Sequence, residues 1–318
     1  MRSIFGFVKN KTYLRTKIKE KMAIENDIFS RTALLVGEAA MERIRACRVI
    51  IFGVGGVGSW AAESLIRSGV GHLTMVDSDR VDATNVNRQC PATTETIGYV
   101  KVEAMKSRLL SINPKAEVEA IEGVYDRSTR DSFHLEDYDY VIDAIDSLEC
   151  KAELIRHATS LPHHVKFFSS MGAALKMDPS QIRVDEFWQV KGCPLARALR
   201  QKFKRSKLFP ARKFRVVYSP EVLTNKGRQM TENDGFIADK GEVLANRDTV
   251  FKGKGEQTCQ AYSPEPTSHK GHAAPADWHE QKVHVNGTVA HTTAIFGFTL
   301  AGLVMQDLCR EEQKNRGI

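Results

Sequence analysis

The chain has 318 residues, with 46 lysines and arginines against 39 acids and a formal net charge of +7. Its 42% hydrophobic and 27% charged residues are those of a soluble globular protein with a real core, arranged as one large or two modest domains. The cationic excess suits an anionic partner such as nucleic acid. Cys47, Cys90, Cys150, Cys193, Cys259 and Cys309 form no C-x-x-C pair, which argues against a zinc ribbon or a thioredoxin-type site and reads as reduced thiols in a reducing compartment. Residues 1–25 carry no continuous apolar stretch of the kind a secretory signal needs. They are basic and read as a solvated arm on a cytoplasmic protein, with a mitochondrial presequence as the alternative.

In chain order, residues 39–46 read as a helix leading into a strand that starts at Arg48 and runs through Phe52. A glycine turn over residues 53–58 follows, then a helix over 60–68 and a strand over 72–76 that ends in Asp77-Ser78-Asp79. Residues 81–89 are a polar loop. A helix over 101–113 puts Val102, Met105, Leu109 and Ile112 roughly on one face and stops at Asn113-Pro114. Strands at 116–121, 138–142 and 165–169 alternate with a helix at 149–160, so the expected fold is α/β: a Rossmann-like, doubly wound, mostly parallel sheet. The character changes near residue 178. Residues 191–215 are dense in cations, around a helix with Leu195, Leu199 and Phe203 on one face, and a strand follows at 214–218. Residues 225–286 have little periodicity and read as a long irregular excursion. Residues 294–305 read as a buried helix too short to span a bilayer, so no membrane association is expected. The expected domains are a basic arm at 1–25, a nucleotide-binding domain at 26–178 and a basic C-terminal region at 179–318.

The chemistry gathers where the strands end. Gly53, Gly55, Gly56 and Gly58 lack the Cβ atoms that would keep a phosphate from the backbone, and the helix after them offers unpaired N–H groups. The acids Asp77 and Asp79 lie about 20 residues past the glycines, where a ribose-binding carboxylate belongs. Arg88 in Asn85-Val86-Asn87-Arg88-Gln89 suits a triphosphate, because guanidinium pairs bidentately with phosphate oxygens, and Lys101 adds a point charge. Asp146, just past a strand, suits Mg²⁺, which takes one or two carboxylates together with phosphate oxygens. His269, His272, His279 and His284, with Cys259, follow no tight ligand spacing and read as surface groups.

This set resembles the ubiquitin-activating, E1-like (ThiF/MoeB) family of adenylating enzymes, over residues 29–172 and again at Phe296-Gly297-Phe298. The resemblance implies ATP on the glycine turn, Asp77 at the ribose, Asn85, Arg88 and Gln89 in the family's N-x-x-R-Q phosphate segment, the family lysine at Lys101 and the magnesium aspartate at Asp146. It also implies a homodimer, in which Arg31 reaches the ATP of the partner subunit. Arg31-Thr32-Ala33-Leu34-Leu35-Val36-Gly37-Glu38, the stretch from Gly53 to Glu63, and Val141-Ile142-Asp143-Ala144-Ile145-Asp146-Ser147 look like the branch that acts on tRNA carrying threonylcarbamoyladenosine. That branch adenylates a carboxylate on the modified adenosine beside the anticodon and closes a ring with loss of AMP, and a sulfur-trafficking protein partner is compatible with it. Ring closure needs no protein thiol, since the attacking nitrogen sits in the substrate. Residues 191–215 would then supply a phosphate-tracking face.

Three alternatives stand beside this reading. One is adenylation of a ubiquitin-like or sulfur-carrier C-terminus, with Cys193 as acceptor instead of an ordinary thiol. Another is an NAD-dependent oxidoreductase on the same glycine fold, and the last is a non-catalytic nucleotide-binding scaffold.

Overall fold

Seven strands form one sheet in the computed structural model, which describes residues 28–227 and 286–315, with side chains as far as residue 310. The basic arm, most of the excursion at 225–286, its four histidines and Cys259 lie outside the described residues. The strands are β1 (Arg48–Phe52), β2 (His72–Val76), β3 (Glu117–Ile121), β4 (Tyr140–Asp143), β5 (Lys166–Ser170), β6 (Arg183–Glu186) and β7 (Arg215–Tyr218). Their spatial order is β3-β2-β1-β4-β5-β7-β6. All neighbours are parallel except β6, which runs antiparallel to β7.

Alternation along the strands gives the sheet two buried faces. In β1, Val49 and Ile51 join one core cluster while Ile50 and Phe52 join the other. The first cluster takes in α2 (Glu38–Ala46), α3 (Gly58–Arg67), α4 (Lys101–Ile112) and α7 (Ala290–Asn315), with α1 (Ser30–Val36) at its edge. The second is formed with α5 (Leu148–Ser160) and α6 (Pro194–Ser206), through residues such as Leu154, Ile155, Leu199 and Phe203. Each such side chain contributes about 1.5–3 kcal/mol when fully buried.

Several elements differ from the sequence expectation, and the helix α1 was not expected at all. The helix after the glycines begins at Gly58, two residues early. The edge strand β6 has no apolar alternation of its own and exists by pairing with β7. The final helix is 26 residues long, and its span Ala290–Arg310 is long and apolar enough by length and composition to cross a membrane. That corrects the expectation of a helix too short to span. Phe296, Leu300, Ala301, Leu303 and Val304 are nevertheless buried in the first core cluster, packed with α3.

The described residues up to Leu223 and from Gly287 onward form one compact unit. The chain leaves and re-enters that unit at Leu175, in the loop beyond β5. Leu175 donates its N–H to the Gly287 carbonyl oxygen at 2.9 Å, and its own carbonyl accepts from the Leu223 N–H at 3.0 Å.

Candidate nucleotide site

The sheet order reverses at β1, with β2 on one side and β4 on the other. Open α/β sheets bind ligands in the crevice at the carboxyl ends of such strands. The glycine turn after β1, the acids after β2 and the loop after β4 all open there.

Gly53 adopts φ +88°, and a Cβ on it would lie 2.7 Å from the Ala144 carbonyl oxygen. A Cβ on Gly58 would overlap the Gly53 carbonyl oxygen. These two glycines let the turn close on β4 and on itself. Gly55 and Gly56 act differently: they leave room beside the arginine loop. A Cβ on Gly56 would stand 3.4 Å from Arg88 Cγ and 3.3 Å from Thr293 Cβ, and one on Gly55 would stand 3.9 Å from Gln89 Nε2. Gln89 is buried, and its Oε1 has no hydrogen-bond partner among the described residues. An orphaned acceptor, a guanidinium and a bare glycine turn together form a donor and acceptor set that fits a nucleotide.

Asp77 is tied down on both oxygens. Oδ2 accepts from the Val54 N–H at 2.6 Å, and Oδ1 accepts from the Asp79 N–H at 2.9 Å and from Lys101 Nζ at 3.3 Å. Lys101 Nζ also donates to Asp79 Oδ2 at 2.8 Å, and the residue is 2% exposed. The structure thus groups Lys101 with the acidic pair. Burial lowers the Arg88 pKa, and the charge of the Asp146 carboxylate opposes that shift. Arg88 Nη1 donates to the Thr84 carbonyl oxygen at 2.7 Å and to Asn87 Oδ1 at 3.0 Å. Asn85 shapes the loop, its Oδ1 accepting from the Asp82 N–H at 3.2 Å in a capping box. Asp146 is exposed. Among the described residues no cluster of three or more His, Cys, Asp or Glu side chains offers a ready-made metal cage. A Mg²⁺ ion accompanying a nucleotide would be held by the single Asp146 carboxylate together with phosphate oxygens. Arg31 is exposed on α1, beside Leu34 and Leu35, which are 87% and 85% exposed.

Several buried polar pairings beside these residues gave no signal in the sequence. Asp143 and Lys151 are both fully buried and pair at 2.7 Å. Asp143 also accepts from Ser169 Oγ at 2.6 Å and from the Ile145 N–H at 3.0 Å, which turns the chain toward Asp146. On α3, Ser59, Trp60 and Glu63 reach the arginine loop. Burial alone would raise the Glu63 carboxyl, but hydrogen bonds from Arg108, Cys90 and Arg67 outweigh it and hold its pKa at about 2. Because the folded value lies below the ordinary 4.5, this group's stabilisation is full above pH 4.5 and is lost as pH falls through 2. Glu63→Gln is expected to flatten that acid limb in an equilibrium denaturation series. An acid limb identical to that of the unsubstituted chain would refute it.

The basic segment is narrower as a surface than its sequence suggests. Arg212 is inward-facing, donating to the carbonyl oxygens of Ala158, Leu161, Pro162 and Val165. Arg200 donates to the Phe187 carbonyl oxygen at 3.0 Å, Arg215 lies over the Phe168 ring and Lys202 pairs with Glu149. Lys191, Arg197, Lys204, Arg205, Lys207 and Lys213 remain exposed. Cys193 is buried in the second core cluster, which denies it the access an acyl acceptor needs.

The sequence profile of the ThiF family matches residues 29–317. The tRNA threonylcarbamoyladenosine dehydratase of Bacillus subtilis is 39% identical over 209 residues, which span 65% of this chain and 81% of that protein. The Escherichia coli molybdopterin-synthase adenylyltransferase is 32% identical over 167 residues, 52% of this chain and 64% of that protein. Among solved structures, the E. coli tRNA N6-threonylcarbamoyladenosine dehydratase in complex with ATP aligns with a TM-score of 0.67 at 27% identity, over 91% of this chain and 96% of that one. The match takes in the glycine turn, the arginine loop and the final helix, and the chain belongs to the ThiF family.

Proposed function

We propose that this protein is an ATP-dependent enzyme that dehydrates threonylcarbamoyladenosine in tRNA. The observation that carries the reading is the convergence of the glycine turn, Arg88, orphaned Gln89 and Asp146 on one sheet edge, in a chain that aligns along nearly its whole length with an ATP-bound dehydratase. The substrate carboxylate attacks the α-phosphorus of ATP and pyrophosphate leaves. A nitrogen of the same substrate then attacks the activated carbonyl and expels AMP, so that the nucleoside has lost one water in all. Glycine-turn N–H groups and the Arg88 guanidinium stabilise the charge that develops on the phosphates, a term that preorganised donors supply at no reorganisation cost. Asp77 and Asp79, fixed by Lys101 and the Val54 N–H, stand on the ribose side. Asp146 would hold Mg²⁺ against the phosphates.

The exposed cations of α6 and its flanks serve as the tRNA face. A second copy of the chain covers Leu34 and Leu35 and receives Arg31, since two adjacent leucines this exposed are unusual on a monomer surface. Leu35→Glu is therefore expected to convert a dimer into a monomer in sedimentation equilibrium. A wild-type chain that already sediments as a monomer would end this part of the reading.

Incubation with Mg²⁺-ATP and tRNA carrying threonylcarbamoyladenosine tests the activity. Mass spectrometry of the nucleosides is expected to show loss of one water with release of AMP. AMP release with a Gly-Gly-ending carrier protein, and none with tRNA, would move the chain to protein adenylation.

A further inference from the structure

Three side chains on one face of α3 reach the loop that carries Arg88 and Gln89. Ser59 is fully buried. Its hydroxyl donates to the Gly55 carbonyl oxygen at 2.6 Å and accepts from the Cys90 N–H at 3.1 Å, so a single oxygen joins the glycine turn to the end of the arginine loop. Trp60 Nε1 donates to the carbonyl oxygen of Arg88 itself at 3.0 Å, while its ring packs edge-on to Phe298. One turn further on, the buried Glu63 carboxylate accepts from the Cys90 thiol at 2.7 Å, from Arg108 Nη2 of α4 at 3.1 Å and from Arg67 Nε at 2.9 Å. Burying a carboxylate is costly unless it is fully paired. The contact of α3 with the core does not call for one, because Ala61, Ala62, Leu65 and Ile66 already supply the apolar face. The carboxylate instead ties the end of the loop, through Cys90, to Arg108 of α4.

We propose that Ser59, Trp60 and Glu63 are positioning residues that hold the Arg88 backbone at a fixed separation from the glycine turn, so that both engage one polyphosphate. The inference rests on the adenylation reading. Fixing the backbone leaves only side-chain rotamers to find the phosphates, and a misplacement of about 1 Å costs on the order of 100-fold in rate.

The test is nucleotide binding by calorimetry for the full chain and for Trp60→Phe, Arg88→Ala and the double variant. Trp60→Phe keeps one aromatic ring and removes the donor together with the second ring of the indole, so the contrast between ATP and AMP carries the test. It is expected to weaken ATP about fivefold or more, to leave AMP binding unchanged, and to add nothing in the Arg88→Ala background, as coupled residues behave. Glu63→Gln is expected to show the same pattern, and should that variant fail to fold, Trp60→Phe decides alone. A packing role would instead lower the melting midpoint and weaken both nucleotides in both backgrounds, which overturns the inference. So does a Trp60→Phe chain that binds ATP as the wild type does. A wild-type chain that binds no ATP overturns the adenylation reading, and this inference with it.

Discussion

Arg88→Ala is expected to lower the rate of ATP–pyrophosphate exchange by about 100- to 1,000-fold, the loss that follows removal of one donor to a developing oxyanion. The fold should hardly notice. The loop is secured through its main chain, by Trp60 on the Arg88 carbonyl, Ser59 on the Cys90 N–H and the Asn85 carbonyl on the Arg88 N–H. Removing a partly exposed side chain away from the core shifts stability by about 0.5 kcal/mol. Exchange kinetics and scanning calorimetry on one preparation separate the two effects. Exchange at the wild-type rate would remove Arg88 from the site.

Lys151→Met is expected to produce the largest loss of stability. Asp143 and Lys151 are each 0% exposed and face one another at 2.7 Å, so the substitution strands a carboxylate in the core. Breaking a buried pair in this way costs about 3–5 kcal/mol. For a domain of this size the melting midpoint should fall by roughly 6–20 °C. Adding Asp143→Asn should recover part of the loss, because the amide oxygen still accepts from the Ile145 N–H while the unpaired charge is gone. A midpoint within about 2 °C of wild type for Lys151→Met would show that the pair contributes little.

The sequence made the sheet legible because its strands and helices carry their own periodicities. β1 to β5 and α4 to α6 fall within a few residues of where alternation and helical spacing put them. β6 was silent, since Arg183-Val184-Asp185-Glu186 has a single apolar residue and is a strand only because β7 offers it hydrogen bonds. In the site, glycines, acids and Arg88 announce themselves by type and order. Glu63, Lys151 and Arg212 do not. A charged residue on a helix or in a basic run is ordinarily solvated, and only the fold reveals that these three are enclosed by partners. Lys101 lay between these cases: its place at the head of α4 was readable, but its two carboxylate partners were not.

The two hydrogen bonds on Leu175 bear on how this architecture tolerates change. Leu223 and Gly287, where the first unit's chain breaks off and resumes, are both held by the backbone of that single residue. Closing such an excursion costs only about 0.6 kcal/mol more for each doubling of its length. A change in the length of chain between these two anchors therefore adds little to the cost of closing the loop.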